Sequence, residues 1–232
     1  MLARHTGLVG HVGFASPKRL VSTSYDRTAR FWALAKAPRL LGTAATATGC
    51  CAWCSPPVGG EDNVVRVWEV VGGTEVARFE AHRDRINALA VSADGGLLAS
   101  ASQDDTFRLW DVARRSALRT LRTGDAVRHI AVDAAGTLVV AGFDEGRAWM
   151  STEMDARRIA DGHVLLTARR AHRYAIAQLA LSADGRYAAT SSENGEVKVW
   201  DLAEGREHEP VRAHRERIGE LLFTSDGSTA VY

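Results

Sequence analysis

Several features that would mark a membrane, secreted or polyanion-binding protein are missing from this chain. No segment of its 232 residues approaches the roughly 18 apolar residues of a membrane helix. Residues 1–13 carry two histidines and an arginine but no apolar block, so a secretory leader is not expected and a cytoplasmic setting is. Charge of one sign is lacking too. The 29 Lys and Arg residues balance 28 Asp and Glu to a net +1, so nucleic acid is not the default partner. Lysine is confined to Lys18, Lys36 and Lys198, which carries no functional implication.

Cysteine occurs only at Cys50, Cys51 and Cys54. Residues 48–55 read as a strand, in which Cys50 and Cys54 face one side and Cys51 the other. With no fourth ligand nearby, small buried core residues account for the cluster better than metal or redox chemistry does. No metal or cofactor is expected. Walker-type loops, zincin motifs and paired-carboxylate motifs are absent from the sequence. No 11-residue window sustains a helical period, which leaves an all-β chain. The hydrophobic share of 46% and charged share of 25% suit a globular protein.

What the sequence has is repetition. Near-parallel segments begin at Ala81, Ala171 and Ala213, and a variant with a shorter turn begins at Arg4. Registering them on an apolar anchor nine residues after a histidine gives six copies, with anchors Phe14, Cys54, Val91, Val132, Leu181 and Phe223. The copies run roughly 4–43, 44–80, 81–122, 123–170, 171–212 and, in part, 213–232, and together form one domain. Each reads as four short strands. In the third copy these are residues 86–91, 97–101, 107–110 and 116–121, with a Ser-Ala-Asp-Gly turn after the first.

Four strands per unit of about 40 residues is the pattern of a propeller blade. The chain resembles the WD-repeat (WD40-type) family through four features. These are Ala-His in place of Gly-His, the Ser-x-Asp-Gly turn, an Asp six residues before a Trp, and a closing Trp-Asp. The resemblance covers essentially the whole chain. It implies an all-β WD40-type propeller of about five blades plus half a blade. That half blade leaves two readings open: a fragment of a longer protein, or a short chain whose incompletely closed ring assembles with further chain or a partner.

Ser or Thr, His and Asp or Asn recur at fixed offsets, which invites a catalytic-triad reading. The resemblance assigns them instead to a hydrogen-bonded structural chain with the repeat tryptophan. The sets are His5, Ser22, Asp26 and Trp32; His82, Ser100, Asp104 and Trp110; and His172, Thr190, Asn194 and Trp200. Triplication argues the same way, since a nucleophile is needed once per site. A buried indole N–H also needs an acceptor. An enzyme is not expected.

Two copies are irregular. In the second, residues 55–62 pass almost directly from the first turn to the Asp before strand three, and Ala45 replaces the histidine. A thin blade is expected there. The fourth has Thr123 for His and Ala141 for Ser, and its Trp149 misses the repeat spacing. Residues 151–170 read as a polar surface insertion around an outer strand at 164–167.

The resemblance implies a protein–protein interaction scaffold binding through loop surfaces. The rim candidates are Leu8, Arg83, Arg85, Tyr174, Arg215 and Arg217 after the histidine position, and Tyr25, Glu61, Gln103 and Glu193 before the Asp. Arg and Tyr are typical interface hot-spot residues, and an acidic or mixed-charge protein segment is the expected ligand. The alternatives are arginine-mediated nucleic-acid or chromatin binding, and a small-ligand or enzymatic site in the central channel.

Overall fold

A computed structural model describes residues 9–16, 19–24, 28–33, 39–45, 63–68, 75–144, 151–208, 211–212, 217–219, 221–224 and 230–231. The described residues contain strands and turns and no helix. The first sheet is an antiparallel meander of β1 (Val9–Ser16), β2 (Arg19–Ser24), β3 (Thr28–Ala33) and β4 (Arg39–Ala45). In the second, β5 (Val64–Trp68) pairs with β6 (Glu75–Glu80). The third runs β7 (Ile86–Val91), β8 (Leu97–Ser102), β9 (Thr106–Asp111) and β10 (Ser116–Arg122). The fourth runs β11 (Val127–Val132), β12 (Leu138–Asp144), β13 (Ser151–Arg158) and β14 (Val164–Ala168). In the fifth, β15 (Ile176–Leu181), β16 (Tyr187–Ser192) and β17 (Glu196–Asp201) are followed by β18 (Arg206–Glu207) and β19 (Val211–Arg212), both paired to β17. A last pair, β20 (Leu222–Phe223) and β21 (Ala230–Val231), makes the sixth. These antiparallel blades are the all-β propeller architecture that the repeats imply.

Burial follows strand position. Every residue of β8 is buried, whereas β10 is largely exposed. A second strand is covered on both faces by neighbouring sheets, which explains its small residues, Leu-Leu-Ala-Ser-Ala-Ser in β8 and Tyr-Ala-Ala-Thr-Ser-Ser in β16. Leu98 and Trp110 pack with Val65, Val67 and Phe79 of the second sheet, while Ala99, Ala101, Phe107 and Leu109 pack with Val127 and Val139 of the fourth. Further clusters join the fourth to the fifth and the fifth to the sixth. From the second sheet to the sixth, the described blades thus share their cores with their neighbours, as repeat proteins do.

Polar bonds link the inner strands. Asn87 donates to the Val127 carbonyl (2.8 Å), His129 Nε2 to that of Ile176 (2.9 Å) and Gln178 to that of Gly219 (3.0 Å). At the other end the hairpin turns are chained, Ala93 N–H to Ala134 O and Ala134 N–H to Ala183 O, both 3.1 Å. The Ser-Ala-Asp-Gly sequence builds these turns. Ser92 Oγ donates to Asp94 Oδ1 (2.6 Å), which also accepts the Gly96 N–H (2.9 Å). Gly185 closes the equivalent fifth-sheet turn at φ +73°, and a Cβ there would lie 2.9 Å from Leu138 Cδ1.

The polar stretch at residues 151–170 is not a surface insertion. It supplies the third and fourth strands of the fourth sheet, with β13 hydrogen-bonded on both sides and Met154 and Ala156 in the core. Register explains why. Leu98 faces Trp110 and Ala188 faces Trp200, and the corresponding pair in the fourth sheet is Val139 and Arg157. Arg157 therefore occupies the tryptophan position, and Asp155 stands where Arg108 and Lys198 lie. The two form an ion pair at 2.6 Å, and Thr167 Oγ1 donates to Asp155 Oδ1 at 2.7 Å. An ion pair with a hydroxyl takes the place of the tryptophan chain. Trp149, the three cysteines and residues 55–62 lie outside the described residues.

Candidate functional site

The third sheet closes a complete side-chain relay. Trp110 Nε1–H donates to Ser100 Oγ (2.9 Å), and an indole can only donate, so Ser100 must accept there. Its own proton then goes to His82 Nε2 (2.7 Å), which leaves His82 Nδ1–H to donate to Asp104 Oδ2 (3.0 Å). The indole thereby fixes the histidine tautomer. Burial is the largest influence on His82 and lowers its pKa, with Asp104 opposing. Burial by itself would raise Asp104. Bonds from the Thr106 hydroxyl, the Arg83 N–H and His82 outweigh it and hold the carboxyl below its usual range.

In the fifth sheet Trp200 Nε1–H donates to Thr190 Oγ1 (3.1 Å), which lies 2.8 Å from His172 Nε2. The expected last member, Asn194, is not the histidine's partner. His172 Nδ1 meets Glu196 Oε2 at 3.1 Å, and Asn194 Oδ1 accepts the Glu196 N–H at 3.3 Å. A neutral amide is the weaker acceptor, and the carboxylate two residues along the chain provides a charge-assisted bond instead. His172 is likewise lowered, first by burial, with Glu196 opposing.

Neither set is arranged for nucleophilic chemistry. Ser100 and Thr190 are 0% exposed, and each hydroxyl is engaged by an indole on one side and an imidazole on the other. A substrate carbonyl has no approach to either oxygen. In the first set, His5 and Asp26 lie outside the described residues. Ser22 lies on β2 and Trp32 on β3.

The relay does organise a rim. Asp104 Oδ2 also accepts the Arg83 N–H (2.9 Å), so the buried chain pins the loop that displays Arg83 and Arg85 to solvent. Ser102 Oγ donates to the carbonyls of Asp84 and Arg85, both 3.0 Å. The two candidate loop sets meet here. The Gln103 N–H donates to Arg85 O (2.8 Å), and the Glu193 N–H makes the matching bond to Ala175 O (3.1 Å) beside Tyr174. Tyr174 is 44% exposed with the Arg173 guanidinium 5.9 Å from its ring centre. Glu193 and Arg217 are also exposed. Leu8, Tyr25, Glu61 and Arg215 lie outside the described residues.

Carboxylates stand among the described rim arginines. Asp105 is raised by partial burial and by Asp125, Asp104 and Asp84, with Arg122 opposing. A carboxylate group thus sits among the arginines around the third and fourth sheets. The sequence signal was present, since Asp84 separates Arg83 from Arg85, but the sheet topology is what brings Asp125 beside Asp105. Nearer the axis, His129 is lowered to about 4, chiefly by burial, with Arg128 and Arg217 adding to the effect. Among the described residues no three His, Cys, Asp or Glu side chains group to hold a metal ion.

Comparison with known proteins agrees with this architecture. The family model "WD domain, G-beta repeat" matches residues 73–111 and 162–201. Each match starts by the outer strand of one sheet, β6 or β14, and ends at the third strand of the next, β9 or β17. The repeat and the sheet are therefore one strand out of phase. The chain is similar to periodic tryptophan protein 2 of Arabidopsis thaliana, 26% identical over 74% of this chain and 23% of that protein. It is 30% identical to eukaryotic translation initiation factor 3 subunit I of Culex quinquefasciatus, over 61% of this chain and 45% of that protein. It is 27% identical to the U3 small nucleolar RNA-associated protein 15 homolog of Xenopus tropicalis, over 61% and 26%. The chain thus spans less than half the length of each of these relatives. With its blades, its paired Trp–hydroxyl–His relays and both matched segments in a constant phase with them, the chain carries WD40 repeats at these two positions, within sheets of the WD40 propeller pattern.

Proposed function

We propose that the chain is a non-catalytic, cytoplasmic interaction scaffold that binds a mixed-charge segment of a partner protein on the rim displaying Arg83, Arg85, Tyr174, Glu193 and Arg217. The observation that carries this reading is the bond from the Arg83 N–H to Asp104. It couples the buried relay to an exposed loop and so presents that loop in one conformation. Pre-organised Arg and Tyr side chains suit an interface, because little ordering cost is left for binding.

Asp84, Asp105 and Asp125 beside the arginines favour a protein ligand carrying both signs of charge over a polyanion. Although one relative's name refers to RNA association, a near-neutral chain with this rim fits a protein segment better. Affinity purification with the intact chain and with an Arg85→Glu/Arg217→Glu variant tests the proposal. The expected result is loss of a specific partner with an unchanged melting temperature. Retention of that partner refutes the rim assignment. Capture of nucleic acid with an affinity that falls steeply as salt rises refutes the protein-ligand assignment.

A further inference from the structure

On the opposite rim, where the hairpin turns chain together, an open cavity of about 530 Å³ lies at the seam between the third and fourth sheets. Leu97 and Leu118 supply its apolar surface, Gly136 of the next sheet closes one side, and Asp94, Asp111 and Arg114 stand around it. A β-bulge places Leu118 at its edge. Across the β9–β10 pair, Ala117 faces Trp110 and Arg119 faces Leu109, which leaves Leu118 unpaired. The same shift recurs in β4, β6 and β14 and leaves Leu41, Val76 and Leu165 unpaired.

The bulge residue is aliphatic each time, yet the two whose side chains are described differ. Leu165 packs into the cluster joining the fourth and fifth sheets. Leu118 joins no cluster and is 51% exposed beside the cavity. An aliphatic side chain held at a fixed bulge, over a cavity it does not fill, leaves room for another apolar group.

The charges select what accompanies that group. Arg114 is committed to Asp111, its Nη1 at 2.7 Å from Oδ2 and its N–H at 2.7 Å from Oδ1. Asp94 has no ion-pair partner among the described residues. Its Oδ1 is taken by Ser92 and Gly96, whose bonds hold the carboxyl below the usual range and keep it ionised. One uncompensated carboxylate therefore stands next to the exposed leucine.

We propose that this seam is a second docking site, for an extended segment of a partner protein that carries an aliphatic side chain next to a lysine or arginine. The aliphatic group packs on Leu97 and Leu118, and the cation pairs with Asp94. The site is independent of the rim bearing Arg85 and Arg217.

The test uses the whole chain against an array of short peptides in which a central Leu or Ala is flanked by Lys or Glu, with anisotropy measurements on the peptides retained. Leu–Lys peptides should bind in preference to Leu–Glu and Ala–Lys peptides. Leu118→Asp should weaken them about tenfold or more, as expected when a ligand can no longer pack on a leucine side chain. Asp94→Asn, which keeps the turn acceptor, should weaken them a few-fold and flatten the salt dependence. Arg85→Glu/Arg217→Glu, which acts on the other rim, should leave the affinity for these peptides unchanged. Leu118 is exposed, so its variant should keep the wild-type melting temperature. Equal binding by Leu118→Asp, no preference for Lys over Glu, no retained Leu–Lys peptide, or loss on the Arg85/Arg217 change would each overturn the assignment.

Discussion

The ion pair of Asp155 and Arg157 gives the sharpest test of how a blade holds together without its tryptophan. Their side chains are 7% and 19% exposed, and Arg157 Nε is buried with no hydrogen-bond partner among the described residues. Asp155→Ala would leave the guanidinium unpaired against the third sheet. Breaking a buried pair on one side costs about 3–5 kcal/mol, and the partial exposure of Arg157 places this case near the lower end. For a chain of this size, about 3 kcal/mol corresponds to roughly 6–12 °C in melting temperature. Arg157→Ala should cost a comparable amount, because Asp155 keeps only Thr167. The double variant should cost clearly less than the sum, with a coupling of about 1.5 kcal/mol or more. The more revealing variant is Asp155→Leu/Arg157→Met, since well-packed apolar replacements of buried pairs are often neutral or stabilising. Urea unfolding followed by circular dichroism, with slopes compared across the set, supplies the measurements. Single variants each costing under about 0.5 kcal/mol, with additive effects, would show that the pair does not hold the sheet and would refute the reasoning.

Four further outcomes follow from the structure. Ser100→Ala strands the Trp110 indole and the His82 ring and should cost about 1–3 kcal/mol in denaturant titration; in the fifth sheet, Glu196→Ala should cost more than Asn194→Ala, and the reverse order would restore Asn194 as the histidine's partner. Folding stability should fall as pH drops below about 6.5, because His82, His129 and His172 all protonate more readily unfolded than folded; His129 contributes up to about 3 kcal/mol of that loss by pH 4, so His129→Gln should flatten the profile, and an unchanged slope would exclude it as the source. Gly185→Ala should destabilise more than Gly95→Ala, since both glycines have positive φ but only Gly185 backs onto Leu138; equal losses in paired thermal melts would show that this close approach relaxes freely.

The turns and the relays were legible in the sequence because their chemistry is local and repeated. Ser92-Ala93-Asp94-Gly95 and Ser182-Ala183-Asp184-Gly185 specify the same bonds wherever they occur. His82, Ser100, Asp104 and Trp110 are mutually constrained by donor and acceptor inventory. The fourth sheet was less legible because tryptophan spacing stood in for register. Met154 and Ala156 alternate with Asp155 and Arg157 as a strand requires, but an ion pair at the tryptophan position makes the segment look like solvated loop. Glu196 was missed for a related reason. It sits two residues beyond the expected partner, and only the distances show which side chain His172 uses.

These two departures bear on what the relay is for. The fourth sheet has Thr123, Ala141 and Arg157 in place of His, Ser and Trp, yet β12 and β13 pair along their length and pack on both neighbours. The relay is therefore not required to form a blade. What the third sheet gains from it, and the fourth lacks, is a carboxylate that reaches from the relay to the backbone of the rim loop, as Asp104 does to Arg83. In the fourth sheet the loop at Thr123 is tied by its own hydroxyl instead, through donation to Asp105 O at 3.1 Å and Asp125 O at 2.6 Å. Its anchor thus includes the rim of the preceding blade. Loosening the third-sheet relay should therefore disturb two rim loops, while breaking Asp155–Arg157 should disturb neither. Hydrogen exchange at the Arg83 and Thr123 amides decides this. Ser100→Ala should speed both, Asp155→Ala should leave both near wild type, and the opposite pattern would separate the relay from the rim.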